Sequence, residues 1–150
     1  MKVTAQEEYG LRCLIQLARM PQSQIVRVKE IAAKEGLSNA YVEKLLRLLA
    51  RAGLVHSARG LKGGYALCRA ASAITLGDVV LALGTVETMN HICTQFTGNL
   101  RTCIHFNDCG LRSAWAGLTT SIQTFLDQTT LDSLLENEYQ VAAHLAKRWT

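Results

Sequence analysis

Residues 28–55, VKEIAAKEGLSNAYVEKLLRLLARAGLV, decide the fold that this chain adopts. The stretch divides at Gly36, because glycine readily makes the turn between two helices and Ser38 behind it is a favoured N-cap. Apolar residues recur at helical spacing on both sides of this turn. Two short helices joined in this way predict a helix-turn-helix. The inward-facing residues after the turn are Val42, Leu45, Leu46 and Leu49.

The outward face of the second helix carries polar and basic side chains, a mixture that suits base edges and phosphates. A helical hairpin with a solvated charged face would show the same pattern, so the flanking sequence has to separate the two interpretations. The candidate DNA-binding residues on this face are Ser38, Asn39, Tyr41, Glu43, Lys44, Arg47 and Arg51.

The sequence after the second helix predicts a β-hairpin. Two short strands, Leu54 to His56 and Tyr65 to Cys68, flank the glycine-rich basic stretch ARGLKGG at 58–64. A hairpin in this place makes the motif a winged helix-turn-helix. Arg59 and Lys62 on the wing can then contact phosphates, and Arg59 can also enter a narrow minor groove. Cys68 ends the second strand and is expected to be packed rather than reactive.

Two further helices are predicted by capping boxes, in which a Ser or Thr N-cap is followed three residues later by an acidic residue. Thr4 and Glu7 start the first, which should end near Met20, before a proline that a helix cannot continue through. Thr75 and Asp78 start the second, a short apolar helix.

The chain after residue 110 is predicted to be helical. One apolar face continues for more than four turns, further than a compact winged domain requires, which favours a dimer seam over a core helix. The segment TTLDSLL at 129–135 should restart a helix, and an amphipathic tail follows. The predicted dimer-interface residues are Leu111, Trp115, Leu118, Ile122 and Phe125.

Three of the five cysteines, Cys93, Cys103 and Cys109, lie within seventeen residues of loop-like composition. An odd set of thiols with no secretory signal is more typical of a metal site than of a disulfide framework. The CxxC pairs of zinc fingers are missing, whereas thiolates suit iron–sulfur clusters. Such clusters usually have four thiolate ligands, so three cysteines would require a further ligand. The alternative is three unliganded thiols. Cys13 is expected in the core.

The predicted fold is therefore mainly α, a winged helix-turn-helix domain with a long C-terminal dimerisation helix. The expected boundaries are a DNA-binding domain at 1–86, a cysteine loop that binds a cluster at 87–109, and the dimerisation helix with a helical tail at 110–150.

The charge is divided unevenly along the chain. Residues 1–69 carry twelve Lys and Arg against five Asp and Glu, whereas residues 70–150 carry four against seven. A basic first half predicts a polyanionic partner such as nucleic acid. No apolar run could span a bilayer, no secretory signal opens the chain, and no catalytic motif occurs. We therefore expect a cytoplasmic protein that is not an enzyme and does not enter the membrane.

Several stretches together resemble the Rrf2 family of bacterial winged-helix repressors, which includes regulators of iron–sulfur biogenesis, nitric-oxide response and iron supply. They are KVTAQEEYGLRCLIQLA, EIAAKEGLSNAYVEKLLRLLARAGLV, RGLKGGYAL, ITLGDVVLAL, and CGLRSAW followed by TTLDSLL. The resemblance covers about residues 1–135. It implies a homodimer that binds palindromic double-stranded operator DNA. It also implies an iron–sulfur cluster, [2Fe-2S] or [4Fe-4S], held by three cysteines near the dimer helix.

The family's cluster ligands match Cys93, Cys103 and Cys109 of this chain. Some members take a fourth, acidic ligand from the first helix of the partner subunit, at the position of Glu8, and His105 is the local alternative. The chain departs from the best-known members in three ways. The gap between its first two cysteines is longer, Arg112 stands where some members have a ligand histidine, and Arg12 stands where one redox-sensing member has another.

The resemblance and the residues together predict a DNA-binding regulator, a repressor, whose operator affinity is controlled by an iron–sulfur cluster. The signal is iron, redox state or nitric oxide. The alternative is a cofactor-free family member that acts as a thiol-based redox regulator.

Overall fold

A computed structural model describes residues 3–22, 24–60, 63–84 and 92–149 of the 150-residue chain. Within these ranges, helices dominate and one two-stranded sheet is present. The helices are α1 (Ala5–Ala18), α2 (Val28–Glu35), α3 (Asn39–Arg51), α4 (Leu76–Leu83), α5 (Ile92–Gln95), α6 (Gly110–Gln128) and α7 (Glu138–Trp149), and the strands are β1 (Val55–Ala58) and β2 (Gly64–Leu67).

The predicted helix-turn-helix is confirmed as α2 and α3. Gly36 ends α2 in the left-handed conformation, with φ of 66°, which glycine adopts without steric cost. Ser38 then caps α3, because its hydroxyl accepts a hydrogen bond of 3.2 Å from the backbone N–H of Tyr41. The predicted inward residues of α3, Val42, Leu45, Leu46 and Leu49, are fully buried.

The predicted wing is confirmed as an antiparallel hairpin in which Val55 pairs with Leu67 and Ala58 with Gly64. Val26 extends this small sheet by a backbone bridge to Tyr65, whose N–H and carbonyl both bond to it at 2.9 Å. The wing is thereby tied to the segment that leads into α2. Lys62, predicted to contact DNA, lies outside the described residues.

Helix α1 runs through the middle of the fold and packs against α2, α3, α4 and β2. Its predicted capping box is confirmed, since the side chains of Thr4 and Glu7 each accept a hydrogen bond from the other's backbone N–H. It ends at Ala18, two residues earlier than predicted. Cys13 is completely buried in the core, as expected.

Gly10 marks the closest approach between α1 and α4, because a Cβ atom at this position would collide with the side chain of Leu83. We expect Gly10→Ala to lower the free energy of unfolding by about 1–3 kcal/mol, the usual effect of overpacking a core. Gly117→Ala is the matched control. It lies in α6 with no neighbouring atom near its Cβ position and should be neutral or raise stability by about 0.5–1 kcal/mol.

Chemical denaturation of both glycine variants measures the two changes on one scale. Equal stability of Gly10→Ala and the wild type would mean that Leu83 moves aside without cost.

The segment 129–135 does not restart an α-helix, so that prediction was wrong. Only a single 3₁₀ turn, Asp132–Leu134, forms there. The reason is long-range backbone pairing. The N–H of Leu131 donates to the carbonyl of Ile74 at 2.8 Å, and the N–H of Leu76 donates to the carbonyl of Thr129 at 2.8 Å. These bonds hold Thr129 and Thr130 extended beside Thr75 and place Leu131 in the core.

Helix α6 is divided along its length. Its last turns pack on α4, and Leu126 is buried there. Its first turns carry apolar side chains that the same chain leaves exposed. Among the residues that the structure describes, no helix is long and apolar enough to cross a membrane.

Candidate nucleic-acid interface and cysteine segment

The outward face of α3 is accessible, as a DNA-reading helix requires. Ser38 and Asn39 at its N-terminus are exposed, and so are the basic side chains of Lys44, Arg47 and Arg51 further along. Arg59, at the end of β1, is exposed as well. The placement of these predicted residues is compatible with contacts to base edges from the N-terminal turn and to phosphates from the basic residues.

Glu43 does not stand free on this face. Its carboxylate accepts a hydrogen bond of 2.6 Å from Arg47 one turn later, and this bond raises the pKa of Arg47 above its ordinary value. The side chains of Arg47 and Glu43 are 65% and 45% exposed, and ion pairs this accessible to solvent contribute little to helix stability. A DNA phosphate can therefore compete with Glu43 for the guanidinium of Arg47.

Tyr41, a predicted DNA contact, is half-buried and is held by α1. Its ring meets that of Tyr9 edge to face, with ring centres 6.0 Å apart. Aromatic pairs of this geometry contribute about 0.5–1.5 kcal/mol beyond the area they bury. Tyr41 is therefore placed to orient α3 on α1.

A groove between the N-terminal turn of α2, α3 and the wing contains two basic residues that the sequence analysis missed. Arg27 and Lys29 line it together with Asn39, Glu43 and Arg59. A cation at the start of a helix is opposed by the helix dipole, so its presence there is a local cost. That cost is the sequence signal that could have identified both residues as candidate phosphate contacts.

The three cysteines of the predicted cluster loop lie on different local structures, and all are free and half-buried. Cys93 is in α5, Cys103 is in the irregular segment that follows, and Cys109 is the N-cap residue of α6. We call residues 92–109 the cysteine segment. The part of the predicted loop before residue 92 lies outside the described residues.

The structure does not bring these thiols into a closed ligand set with either predicted fourth ligand. Across the described ranges, no three His, Cys, Asp or Glu side chains form a group that could hold a metal ion. Glu8, in the first turn of α1, and His105, in the cysteine segment, are both exposed. The three free thiols are donors of the kind that iron–sulfur clusters use, but the described residues do not gather them around one point.

Arg112 connects the cysteine segment to α6. Its guanidinium donates to the backbone carbonyl of Phe106 and lies 5.3 Å from the centre of the Phe106 ring. The residue at this position therefore packs on the segment as a cation.

Cys68 was expected to be packed, and this prediction was wrong. Its side chain is exposed, and its sulfur lies 3.9 Å from Nδ1 of His56 across the hairpin. The reason is that Cys68 follows the last paired residue of β2, where the core no longer covers the strand. Cys13 is the opposite case, because burial raises the pKa of its thiol to about 12.

The predicted dimer-interface residues fall into two groups. Leu111, Trp115 and Leu118 are exposed by 68%, 39% and 44%, which leaves a continuous apolar stripe uncovered on the first turns of α6. Ile122 and Phe125 are half-buried.

Comparison with known proteins gives consistent results. A model of the Rrf2 family, described as an iron-dependent transcriptional regulator, matches residues 3–137. The chain is 34% identical to protein rrf2 of Nitratidesulfovibrio vulgaris over 137 residues, which covers 91% of this chain and 89% of that protein.

Solved structures of similar proteins cover nearly the whole chain. CymR, the global cysteine regulator of B. subtilis, is 31% identical with a TM-score of 0.72 over 90% of this chain and 96% of that one. IscR of T. potens is 31% identical with a TM-score of 0.66 over 93% and 95%. The oxidized form of CymR from Staphylococcus aureus is 30% identical with a TM-score of 0.68 over 91% and 98%.

Proposed function

The chain belongs to the Rrf2 family of transcriptional regulators, and on this premise we propose that it is a homodimeric repressor whose operator affinity is controlled by an iron–sulfur cluster. The protein is a transcriptional regulator with a winged-helix fold and is not an enzyme. Cys93, Cys103 and Cys109 would hold the cluster, with Glu8 of the opposite subunit or His105 as the candidate fourth ligand. We expect the protein to act in the cytoplasm, where its thiols stay reduced.

The observation that carries the cluster proposal is the set of three free thiols immediately before the exposed stripe of α6. Free thiolates are the ligands that iron–sulfur clusters use, and the matching family model is described as iron-dependent. When bound, the cluster would supply a centre that responds to iron, redox state or nitric oxide. The protein's own contribution would be Cys109 at the start of α6, beside the expected dimer contact, with Cys93 and Cys103 supplied by the cysteine segment before it.

The DNA-binding part of the proposal is supported by the exposed basic face of α3 and by the groove beside the wing. A winged helix-turn-helix reads one half-site, so two copies related by a two-fold axis suit a palindromic operator. The uncovered stripe on α6 is the surface we assign to that second copy.

Anaerobic purification followed by absorbance and iron measurement tests the cluster directly. We expect a coloured protein with visible absorption. Removal of the iron by a chelator should shift operator affinity by at least about fivefold, the lower end of typical coupling between sites. A colourless protein whose operator affinity is unchanged by the chelator would reject control by a cluster.

A cofactor-free thiol regulator is the second candidate. Two observations favour it: the three thiols are not gathered in the described residues, and one similar protein has been solved in an oxidized form. It predicts a colourless protein whose operator affinity changes on treatment with a disulfide oxidant and recovers with a thiol reductant. Insensitivity to the oxidant would exclude it.

Glu43 is expected to contribute selectivity and little affinity. A carboxylate facing the groove can accept a hydrogen bond from cytosine N4 but repels phosphate. In this protein it also accepts a hydrogen bond from Arg47. Glu43→Ala should therefore bind a wider set of operators with unchanged or improved affinity. Binding isotherms against the preferred operator and scrambled duplexes measure both effects. A uniform loss of affinity for all sequences would show that Glu43 supports the helix instead.

Arg59 is expected to contribute affinity. The side chain is exposed at the wing beside the groove, where it can neutralise a phosphate or enter a narrow minor groove. Arg59→Ala should weaken binding, most of all at A·T-rich sites. It should also lower the magnitude of the slope of log binding constant against log salt concentration by about one. Isotherms at two salt concentrations measure this slope. An unchanged slope would place Arg59 away from the DNA.

A further inference from the structure

Two side chains of α1 hold the carboxylate of Glu35. Arg12 donates from Nε to Oε2 of Glu35 at 2.6 Å, and the side-chain amide of Gln16 donates to Oε1. Arg12 also donates from Nη2 to the backbone carbonyl of Glu35 at 3.2 Å. The side chain of Glu35 is only 7% exposed, so its carboxylate is shielded from water, whereas that of Arg12 is 40% exposed. Both carboxylate oxygens of Glu35 are therefore bound to a single neighbouring helix.

Glu35 lies next to the turn that leads into α3, the recognition helix of the predicted helix-turn-helix. It is the last residue of α2, and Gly36 and the Ser38 cap of α3 follow directly. On the other side of the turn, the rings of Tyr9 and Tyr41 connect α1 to the first turn of α3. The helix-turn-helix is thus attached to α1 on both sides of its turn.

The N-terminal half of α1 contacts the end of α4, the last described element before the cysteine segment in the sequence. The side-chain amide of Gln6 donates to the carbonyl of Leu83, and Gly10 lies directly against the Leu83 side chain. The carboxylate of Glu7 lies against Gly84, the last described residue before the cysteine segment. A helix of fourteen residues is about 21 Å long and behaves as a rigid body, so displacement of one end moves the other.

We propose that Glu35 is a positioning residue through which α1 sets the orientation of the recognition helix according to the state of the cysteine segment. Arg12 and Gln16 are the residues of α1 that grip it. This inference rests on the proposed function, because it requires two states of the protein that differ in operator affinity. It names the contacts through which a change in the cysteine segment would reach the DNA-binding face.

The test compares operator affinity of the full-length protein before and after removal of iron by a chelator. The measured quantity is the ratio of the two dissociation constants. Arg12→Gln should bring this ratio toward one, with a fall of at least about fivefold, while its visible spectrum stays that of the wild type. Glu35→Gln should do the same. The double variant should add only what Arg12 contributes elsewhere, since its guanidinium also lies 5.3 Å from the centre of the Tyr9 ring.

Two further variants separate positioning from general stability. Arg19→Gln removes an exposed cation from the end of the same helix and should leave the ratio unchanged. Arg12→Lys keeps a positive charge for Glu35 and should restore part of the ratio. Hydrogen exchange of the amides at 36–41 should differ between the two states in the wild type and be alike in Arg12→Gln. Circular dichroism identifies any variant that fails to fold, and Glu35→Gln is the replacement for Arg12→Gln in that case.

The outcomes are distinct. If the wild-type ratio of dissociation constants is large and both Arg12→Gln and Glu35→Gln stay within twofold of it, the role of Glu35 is overturned. The proposed function then still stands. A wild-type ratio of one would overturn the proposed function and this inference together. Equal weakening of both states by Arg12→Gln would show a merely structural contact and also reject the inference.

Discussion

Leu118→Glu is expected to yield a monomer that no longer binds its operator tightly. Leu118 is 44% exposed in the single chain and belongs to the apolar stripe that begins at Leu111. A carboxylate there would be solvated in the monomer but buried without a partner in the dimer, which is strongly unfavourable. A monomer reads only one half-site, so operator affinity should fall about a thousandfold toward the non-specific level. Sedimentation velocity and binding isotherms measure the two effects.

Thr120→Glu is the control for this change. Thr120 is exposed and lies roughly 200° further round α6 from Leu118, so the same charge falls on the opposite face. This variant should remain a dimer and bind normally. An intact Leu118→Glu dimer would mean that the stripe on α6 is not the contact between subunits.

Replacement of any one of Cys93, Cys103 and Cys109 by alanine is expected to abolish the visible absorbance of anaerobically purified protein. Each is a free, half-buried thiol in the cysteine segment, and a cluster that loses a thiolate ligand is left open to solvent and oxidation. Iron content and absorbance per subunit measure the loss, which should be nearly complete.

The other two cysteines are the controls. Cys13→Ala removes a buried thiol whose pKa burial raises to about 12, and Cys68→Ala removes an exposed thiol on the wing. Neither change should reduce the absorbance of folded protein. Equal loss in all five variants would contradict the ligand assignment. Glu8→Ala and His105→Ala complete the set, since only the variant that lacks the fourth ligand should lose cluster lifetime.

The helices of the winged domain could be predicted from the sequence, because their signals are local. A capping box at Thr4 and Glu7, a glycine at position 36 and a serine cap at position 38 each act within four residues of chain. The buried face of α3 follows from its apolar spacing alone, since its buried residues all recur at the helical period of about 3.6 residues. The same holds for the apolar stripe on α6, which is a property of one helix.

The site could be predicted only in part. The basic face of α3 was visible as a pattern, but the pairing of Glu43 with Arg47 depends on which rotamers the two side chains adopt. Arg27 and Lys29 were missed, because what identifies them is a groove shared with the wing. The cysteines were visible as a cluster in sequence, and nothing local indicates how far apart their thiols lie in one subunit.

The sequence by itself determined the winged helix-turn-helix, the exposed apolar stripe of α6 and the family to which the chain belongs. Each rests on interactions between neighbours along the chain or on a regular apolar period. Only the tertiary structure decided that residues 129–131 pair with 74–76 instead of starting an α-helix, that Cys68 is exposed, and that Arg12 and Gln16 of α1 bind Glu35. These outcomes depend on partners distant in sequence, such as Ile74 for Leu131 and Arg12 for Glu35. A contact of this kind has no period and no motif, because it exists only after separate helices have packed together.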